Sequence, residues 1–449
     1  MDESVGAARA ALAADLIAAL RGRGHKAYLV GGCVRDRLLG VTPKDFDVAT
    51  DARPDQVVEY FPQARLVGAQ FGVVLVGRGD GIQVEVATFR SEGVYSDGRR
   101  PDEVRFESDP ALDARRRDFT INGLMQDPFS GEVLDYVGGK ADLAAKVIRA
   151  IGDPERRFQE DHLRTLRAIR FAARLGFSIE EKTFAAIRRV AQFITRISPE
   201  RIRDELVKIL TEGAARRGFE LLDSAGLLSQ VAGEIKAFQG VEQPPEYHPE
   251  GDVWTHVMLM LERMHEPAPA LALGVLLHDV GKPATFRIAE RIRFDGHAEV
   301  GATMAKDWLS RLRFSNEDVE QVTSLVANHM RFKDVRQMRL STLKRFLRLP
   351  HFEQHLELHR LDCLSSNGRL DSYEFAKERF RELDQEKLRP EPLITGRDLI
   401  RAGYAPGQAF GEALSAVETG QLDGEIRTPE EALDLARPIL DKAIRDSTS

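Results

Sequence analysis

The sequence contains few cysteines and no long hydrophobic run. Its 449 residues include 2 cysteines, Cys33 and Cys363, which are too few for a disulfide framework or for a zinc site made of cysteines. No window approaches the roughly 20 apolar residues that a membrane-spanning helix requires. Residues 1–24 read as an Ala/Leu-rich amphipathic helix with early acidic residues, which argues against a signal peptide. We therefore expect a cytoplasmic protein.

The chain also has no excess of positive charge. Its 64 Lys and Arg against 71 Asp and Glu give a net charge of −7, which by itself argues against a nucleic-acid-binding protein. Basic residues are nevertheless concentrated in two segments, because residues 160–217 hold 13 Lys and Arg against 8 Asp and Glu, and residues 331–348 hold 7 against 1. Such patches would confine a polyanion to one face of an acidic protein. The alternative for each patch is an ordinary solvated helix face.

The pattern of hydrophobic residues changes along the chain. Residues 27–90 alternate short strands with one helix, and strands at 71–78 and 82–89 are predicted to form a hairpin. The polar segment 91–105 is predicted to be a loop. From about residue 147 onwards the periodicity is helical.

The most informative stretch is LVGGCVRDRLLGVTPKDFDVAT, residues 29–50. A short apolar strand runs into Gly31 and Gly32, and a helix is predicted to begin near Val34. Two adjacent glycines let the phosphates of a ligand lie directly against backbone N–H groups, and the N-terminus of the following helix adds positive potential. The stretch therefore predicts a phosphate-binding bend.

Acidic residues follow this bend. Asp45 and Asp47 are two apart on a second predicted strand, so their carboxylates would face the same side. Two carboxylates beside a phosphate cradle suit two Mg²⁺ ions held over a polyphosphate, as in a nucleotidyltransferase site. Attack of a 3′-hydroxyl on an α-phosphate needs a third carboxylate, and we assign that role to Glu85 on a later strand. The alternatives are a solvated strand edge for the first two residues and a solvent-facing strand position for Glu85.

A second cluster, EDHLR at residues 160–164, is a candidate for base selection. On a helix Asp161 and Arg164 project from the same face. A carboxylate accepts a hydrogen bond from an exocyclic amino group and a guanidinium donates to ring acceptors, a pattern that fits cytosine and adenine and not uracil or guanine. This pair would admit CTP and ATP without a nucleic-acid template, and the alternative is a surface ion pair. Further arginines at helical spacing would meet phosphate or form salt bridges: Arg167, Arg170 and Arg174.

A third constellation combines histidines and aspartates in the order H, HD, H, H, D. The HDVGK sequence follows an apolar helix-like run, and most of the candidate ligands lie on helix-like segments. Imidazole and carboxylate together suit Mn²⁺, Ni²⁺, Mg²⁺ or Fe, and such a site can activate water for the hydrolysis of a phosphate ester. The alternative for each histidine is a buried structural role. The candidate ligands are His256, His278, Asp279, His297, His329 and Asp362, with Lys282 as a candidate phosphate contact.

These stretches carry a family resemblance. GGCVRDRLLGVTPKDFDVAT resembles the signature of the class II tRNA nucleotidyltransferase and poly(A) polymerase family, and EDHLRTLRAIRFAARLGF resembles the EDxxR motif of its CCA-adding branch. The segment 254–362 resembles an HD-domain phosphohydrolase. Many members of the family carry an HD domain, and some of them show 2′,3′-cyclic phosphodiesterase and 2′-phosphatase activity. The resemblance covers most of residues 25–437.

The resemblance implies a role for each matching residue. Asp45 and Asp47 would bind metal, Glu85 would be the third acidic residue, and Asp161 with Arg164 would form a base-selecting protein template. In the HD segment the core ligands would be His256, His278, Asp279 and Asp362, and a second metal position would be completed by His297 and His329. The other candidate nucleotide-binding residues are Gly31, Gly32, Arg35, Asp36, Arg116, Arg117, Asp118 and Asn122. Arg167 and Arg170 are added to them because of their helical spacing after Arg164.

The residues also bear on the branch of the family. Bacterial poly(A) polymerases carry a basic stretch where this chain reads VGAQFGVVLVG (67–77), and its absence favours tRNA end maturation. The segment 91–105, with Arg99, Arg100 and Asp102, resembles the loop that lets the base pocket switch to ATP, so we expect complete CCA addition. The alternatives are CC-only or A-only addition, a poly(A) polymerase, an HD phosphohydrolase with an inactive head, and a non-catalytic RNA-binding scaffold.

Together these features predict an α+β multi-domain protein with a small mixed β-sheet in its head and helices thereafter. The Pro/Gly-rich segment 240–251 is the clearest domain boundary. We expect Mg²⁺ in the head, a divalent transition metal or Mg²⁺ in the HD segment, and the tRNA 3′ end, CTP and ATP as partners. The expected domains are a nucleotidyltransferase head (1–147), a helical neck that selects nucleotides and binds RNA (148–245), an HD domain (246–365) and a helical RNA-binding tail (366–449).

Overall fold

The computed structural model describes residues 3–68, 72–79, 81–92, 104–383 and 390–448. The chain divides into two units. The first unit comprises Met1–Lys236 and Arg311–Phe314, and the second comprises Ala237–Ser310 and Ser315–Ser449.

The first unit contains most of the strands, and they are short. They are β1 (Ala27–Val30), β2 (Asp47–Thr50), β3 (Ala64–Gly68), β4 (Val73–Gly77), β5 (Gln83–Thr88), β6 (Arg90–Glu92), β7 (Val104–Phe106), β8 (Met125–Gln126), β9 (Val133–Leu134), β10 (Val147–Ile148) and β11 (Ser178–Ile179).

Helices precede, connect and follow these strands. They are α1 (Glu3–Arg21), α2 (Gly32–Leu38), α3 (Pro54–Tyr60), α4 (Pro110–Arg116), α5 (Gly139–Ala145), α6 (Pro154–Glu160), α7 (Leu163–Leu175), α8 (Glu181–Val190), α9 (Pro199–Thr211), α10 (Ala215–Ser224), α11 (Leu228–Val231) and α12 (Gly233–Lys236), with 3₁₀ helices at Thr120–Asn122 and Ala191–Arg196.

The head is built on one mixed sheet. Its described strands lie in the order β3-β4-β5-β2-β1-β8-β9. β2 and β5 run parallel with Asp47 opposite Glu85, and the other neighbouring strands are antiparallel. Side chains alternate along β5, so Val84, Val86 and Thr88 are buried while Glu85 is exposed. The predicted mixed sheet and the predicted hairpin, β4–β5, are therefore confirmed.

The neck positions the predicted arginines on α7. This helix buries Leu166, Ile169 and Ala173 and packs against α9 and α10. It ends at Gly176, whose φ of 68° is in the left-handed region that glycine adopts at little cost. Most of α7 is buried, including Arg164 and Arg170, so the packing of this helix sets the direction of its charged side chains.

The second unit is helical apart from one small hairpin. Its elements are α13 (Val253–Arg263), α14 (Pro269–Leu277), α15 (Lys282–Thr285), β12 (Arg287–Ile288), β13 (Ile292–Arg293), α16 (His297–Arg311), α17 (Asn316–Asn328), a 3₁₀ helix at His329–Gln337, α18 (Leu340–Leu347), α19 (Phe352–Ser365), α20 (Asp371–Glu382), α21 (Gly396–Arg401), α22 (Gln408–Asp423) and α23 (Pro429–Thr448).

Helix α14 lies in the centre of the HD segment. Its residues from Ala270 to Leu277 are all buried, as expected of a helix that is apolar on every side, and it packs against α13, α17 and α19. It ends at His278, so the HDVGK sequence begins where the buried helix stops. Along the described ranges, every helix is too short or too polar to cross a lipid bilayer.

Part of the basic segment 331–348 is neutralised inside the second unit. Arg345 and Arg348 each lie 2.6 Å from a carboxylate oxygen of Glu418 on α22, and Lys344 donates a hydrogen bond to the carbonyl of Leu422. These three cations therefore connect α18 to α22. The expectation of a basic RNA-binding face does not hold for the whole of segment 331–348.

Several local predictions differ from the structure. β2 begins at Asp47, so Asp45 precedes the strand, and α2 begins at Gly32 rather than near Val34. The helical region after residue 147 is interrupted by the strand pairs β10–β11 and β12–β13.

The loop predicted at 91–105 is only partly described. Its two ends belong to β6 and β7, which pair as antiparallel strands. Residues 93–103, which include Arg99, Arg100 and Asp102, lie outside the described residues, as do residues 69–71 of the stretch 67–77.

Candidate active site and candidate metal centre

The diglycine bend joins β1 to α2. Gly31 has φ 73° and ψ −132°, a backbone conformation that side-chain-bearing residues rarely adopt. A Cβ built on Gly31 would lie 3.2 Å from Nη1 of Arg117 and 3.9 Å from Oδ2 of Asp47. The bend is therefore in close contact with a guanidinium and with the first residue of β2.

The three predicted acidic residues lie near this bend. Asp47 and Glu85 face each other across the parallel pair β2–β5. Burial, the charge of Glu85 and then that of Asp45 raise the pKa of Asp47 to about 6, against the opposing effect of Arg117. The neighbouring carboxylates thus make ionisation of Asp47 harder, and a divalent cation relieves such repulsion.

The position of Asp45 corrects the reasoning from strand periodicity. Its side chain is 80% exposed, and its Oδ1 accepts a hydrogen bond of 2.7 Å from Nη1 of Arg9 on α1. Within the part of the chain that the structure describes, Asp45, Asp47 and Glu85 do not all bring a carboxylate oxygen within 4.8 Å of one another. The parallel register of β2 and β5 brings Asp47 and Glu85 together, whereas Asp45 lies before the strand and pairs with Arg9.

A buried network supports the helix that follows the bend. Arg35 donates to Asp36 and to Asn122, each at 2.8 Å. Asn122 in turn donates to Asp118, which also accepts two hydrogen bonds from Arg167. Burial would raise the pKa of Asp118, but Arg167 and Asn122 outweigh that effect and lower it to about 2.

The predicted pair Arg116 and Arg117 is held by a residue that the sequence reasoning missed. Asp113, on the same helix α4 and fully buried, lies 2.7 Å from Nη2 of Arg116 and 3.0 Å from Nη2 of Arg117. Burial opposes ionisation of Asp113, but the two guanidinium groups lower its pKa. The sequence LDARRR could have identified Asp113, because this acid lies three residues before Arg116 and four before Arg117.

The base-selecting pair is arranged differently from the prediction. Asp161 is the residue at which α6 ends, with φ −146°, so it does not share a helix with Arg164. Arg164 binds Glu160 at 2.8 Å, and Asp161 binds Arg201 at 2.8 Å. Both residues of the pair lie at the junction of α6 and α7, and each has its own partner of opposite charge.

The remaining arginines of α7 form salt bridges, which was the alternative reading. Arg170 binds Glu205 at 2.7 Å and Glu212 at 3.1 Å. Arg174 lies 3.5 Å from Glu212 and 3.7 Å from Asp36. Together with the Arg167–Asp118 pair, these contacts tie α7 to the end of α9 and to helix α2.

The histidines and aspartates of the second unit lie in adjoining groups. Within each group the possible ligand atoms all lie within 4.8 Å of one another. The structure therefore brings all six predicted residues together, although Asp279 falls with the two residues assigned to the second metal position. Two groups contain the six residues: His256, His278 and Asp362, and Asp279, His297 and His329. A third group joins His256 to His248 and Glu250.

Hydrogen bonds determine which ring nitrogens of these histidines face the centre. Nδ1 of His278, His297 and His329 each lies within 2.9 Å of the backbone carbonyl three residues earlier. A neutral ring that donates its hydrogen from Nδ1 carries a lone pair on Nε2, which is then free to bind a metal. Oδ1 of Asp279 is buried without a hydrogen-bond partner, whereas Oδ2 forms an ion pair with Lys282 at 2.7 Å. The unpaired Oδ1 and the Nε2 atoms of these rings suit a bound cation, so the donor set fits a divalent metal.

Glu250 and His248 were missed because they lie in the Pro/Gly-rich segment that was read as a boundary. Oε1 of Glu250 is 2.7 Å from Nδ1 of His256 and 2.8 Å from Nδ1 of His248. Burial lowers the pKa of His256, but Asp362 and Glu250 outweigh it and raise it to about 9. The signal was the HPE sequence just before α13.

Lys282 does not face solvent. It is buried, its Nζ lies 2.7 Å from Oδ2 of Asp279, and it donates to Oε1 of Gln243. Its contacts in this structure are with the metal-binding group rather than with an open surface.

Comparison with known proteins agrees with this geometry. Residues 27–149 match the family "Poly A polymerase head domain", residues 176–239 match "Probable RNA and SrmB- binding site of polymerase A", and residues 252–359 match "HD domain".

Several similar proteins are CCA-adding enzymes. The CCA-adding enzyme of Enterococcus faecalis is 34% identical over 425 residues, which are 94% of this chain and 94% of that relative. The Bacillus stearothermophilus CCA-adding enzyme, solved in complex with CTP, is 27% identical with a TM-score of 0.72 and covers 97% of this chain and 98% of its own. The Thermotoga maritima CCA-adding enzyme, solved in complex with tRNA, shares the fold at 22% identity and a TM-score of 0.56, covering 96% and 95%.

Proposed function

The chain belongs to the family of the CCA-adding enzymes, and from that premise we propose that it adds C, C and A to the 3′ end of tRNA from CTP and ATP. The observation that carries the proposal is the register of the head sheet, which places Asp47 opposite Glu85 beside the diglycine bend. In each addition the terminal 3′-oxygen forms a bond to the α-phosphorus, the bond between the α- and β-phosphates breaks, and pyrophosphate leaves.

The residues of the head divide this chemistry among them. The N–H of Gly31 donates to the carbonyl of Leu124, so the backbone N–H groups at the start of α2, beginning with Gly32, are the ones offered to the triphosphate. Arg117 neutralises charge that develops there. Asp45 and Asp47 would hold Mg²⁺, whose preferred ligands are carboxylate oxygens and which supplies charge stabilisation to the transferred phosphate. Glu85 faces the same region and favours loss of the proton from the attacking hydroxyl.

Nucleotide choice is assigned to the α6–α7 junction. Asp161 accepts from the exocyclic amino group of C or A, and Arg164 donates to the adjoining ring nitrogen. Uracil and guanine present a carbonyl and an N–H in the corresponding positions, so both contacts would be lost. The arginines of α7 keep this junction in place through their salt bridges.

The same proposal covers the division into domains. The head (1–147) transfers nucleotides, the neck (148–245) selects them, the HD domain (246–365) carries the second centre and the tail (366–449) binds RNA. A cytoplasmic location is part of the proposal, because tRNA and its nucleotide substrates are used in that compartment.

The HD centre is proposed as a second active site that hydrolyses phosphate esters at RNA ends, such as 2′,3′-cyclic phosphates. Its His and Asp ligands would hold a divalent transition metal or Mg²⁺, which would supply activated water. His278→Ala should remove this activity from the full chain without changing CTP incorporation, and a cyclic phosphodiesterase assay on the same preparation checks both.

The transferase proposal is tested with tRNA transcripts that end before CCA. Incubation with each labelled nucleotide and Mg²⁺ should give two C additions and one A, and then stop. Asp45→Ala should reduce incorporation by about 10²-fold or more, since loss of a metal contact is worth several kcal/mol of transition-state stabilisation. Binding of tRNA should stay nearly unchanged.

A matched control is Asp55→Ala, which removes an exposed carboxylate from α3 in the same unit. This variant should incorporate nucleotides like the unmodified chain. Full activity of Asp45→Ala would overturn the metal assignment. Repeated addition of A to generic RNA would instead indicate a poly(A) polymerase, and hydrolysis without any incorporation would indicate an HD phosphohydrolase with an inactive head.

A further inference from the structure

Asp161 is fixed by a residue from another helix. Nη2 of Arg201 lies 2.8 Å from Oδ2 of Asp161, and Nη1 lies 3.3 Å from Oδ1. This is the two-point geometry in which the planar guanidinium matches a carboxylate. The backbone N–H of Leu163 also donates to Oδ1, at 3.1 Å. The carboxylate therefore has a set direction even though Asp161 lies outside both neighbouring helices.

These contacts leave the carboxylate of Asp161 with few free acceptor positions. An ionised carboxylate offers about four lone-pair positions. Two on Oδ1 are used by Leu163 and Arg201, and one on Oδ2 is used by Arg201. One acceptor position on Oδ2 remains for a single amino group.

The backbone of Arg201 is placed by the packing of α9. It lies in the first turn of α9, and the next residue, Ile202, is buried together with Leu206 where α9 packs against α7. Arg164, the other residue of the base-selecting pair, is held separately by Glu160. The two base-reading groups are thus oriented by two independent ion pairs.

We propose that Arg201 is a positioning residue for nucleotide selection. It aims the remaining acceptor of Asp161 so that the amino group of C or A can donate to it and the carbonyl of U or G is rejected. Arg201 does not touch the base. The inference rests on the proposed template role of Asp161 and names the residue on which its discrimination depends.

The test measures kcat/KM for CTP and for UTP with tRNA that lacks CCA. Arg201→Ala should reduce the CTP/UTP ratio at least tenfold, chiefly through a higher KM for CTP, because the carboxylate remains but is no longer aimed. Arg201→Lys restores the charge without the two-point geometry and should recover only part of the ratio. Lys208→Ala removes a cation from the same helix and should leave the ratio unchanged.

Coupling to Asp161 distinguishes positioning from a general loss of structure. Asp161→Ala alone should lower the ratio, and adding Arg201→Ala to it should lower the ratio no further. If Asp161→Ala lowers the ratio and Arg201→Ala does not, this inference is overturned while the proposed function stands. If Asp161→Ala also leaves the ratio unchanged, the proposed template fails and this inference with it. If Arg201→Ala does not fold, Arg201→Gln takes its place, with thermal unfolding as the check.

Discussion

Nε2 of His297 lies 3.2 Å from Nε2 of His329 in the HD segment. Each ring makes its other hydrogen bond, from Nδ1, to a backbone carbonyl. Burial lowers the pKa of both histidines, that of His329 to about 3. Two neutral rings in this arrangement direct lone pairs at each other, and Oδ1 of Asp279 lies within 3.7 Å of both. A divalent cation held by His297, His329 and Asp279 would relieve this repulsion.

His329→Ala should therefore reduce the number of divalent ions bound by the second unit. We expect a loss of about one equivalent of Mn²⁺ or Ni²⁺ from chelator-stripped full-length protein, measured by titration calorimetry, because only two ligands of that group remain. His355→Ala is the matched control, since His355 is also a buried histidine of this unit but belongs to neither group. Equal metal binding by the two variants would contradict the assignment.

Glu250 orients His256 from outside the ligand set. Its carboxylate accepts from Nδ1 at 2.7 Å and so leaves Nε2 directed towards Asp362. Glu250→Gln should weaken metal binding by about 10–100-fold, the usual cost of losing such a supporting contact. Glu246→Gln changes an exposed carboxylate of the same segment and should bind metal normally. An unchanged affinity in Glu250→Gln would show that His256 is oriented by packing alone.

The sequence was most informative where chemistry is contiguous along the chain. The strand–bend–helix order at Gly31 and Gly32 and the apolar helix leading to His278 are local, so periodicity and glycine placement were sufficient to predict them. The spacing of the aspartates and the need for a third carboxylate predicted the roles of Asp47 and Glu85, and the family resemblance agreed with them. The parallel register of β2 and β5 places these two residues side by side.

The sequence was least informative where a charge is paired across long distances. Arg201 is 40 residues from Asp161, and Arg9 is 36 residues from Asp45. Neither periodicity nor motif spacing specifies such partners, because they depend on how helices pack. Helical spacing placed Asp161 and Arg164 on one helix face, but the chain leaves the helix at Asp161, so the two residues do not share a helix and each is paired with another residue.

The raised pKa of Asp47 predicts a pH dependence of metal use. Burial, with repulsion from Glu85 and Asp45, raises this pKa to about 6, and the carboxylate must lose its proton to bind a cation. Protonation increases as the pH falls through 6, so the Mg²⁺ concentration for half-maximal CTP incorporation should rise about tenfold from pH 7 to pH 5. The affinity of Mg²⁺ for free CTP, measured in the same buffers, corrects for protonation of the nucleotide. A flat profile after this correction would contradict the raised pKa.

An alanine at Gly31 can be compared with an alanine at Gly40. Gly31 and Gly40 both have positive φ, 73° and 72°, so an alanine at either position should cost about 1–3 kcal/mol of backbone strain. Only at Gly31 does the new Cβ meet a functional group, Nη1 of Arg117 at 3.2 Å, whereas nothing lies within 4 Å at Gly40.

Gly31→Ala should therefore weaken CTP binding at least tenfold, because the methyl group displaces Arg117 and covers the backbone that meets the phosphates. Gly40→Ala should lower the melting temperature to a similar extent and bind CTP normally. Titration calorimetry with CTP, together with thermal unfolding of both variants, separates strain from contact. Equal losses of affinity in the two variants would mean that the bend acts only through stability. Loss in Gly31→Ala alone would support direct contact between this backbone and the triphosphate.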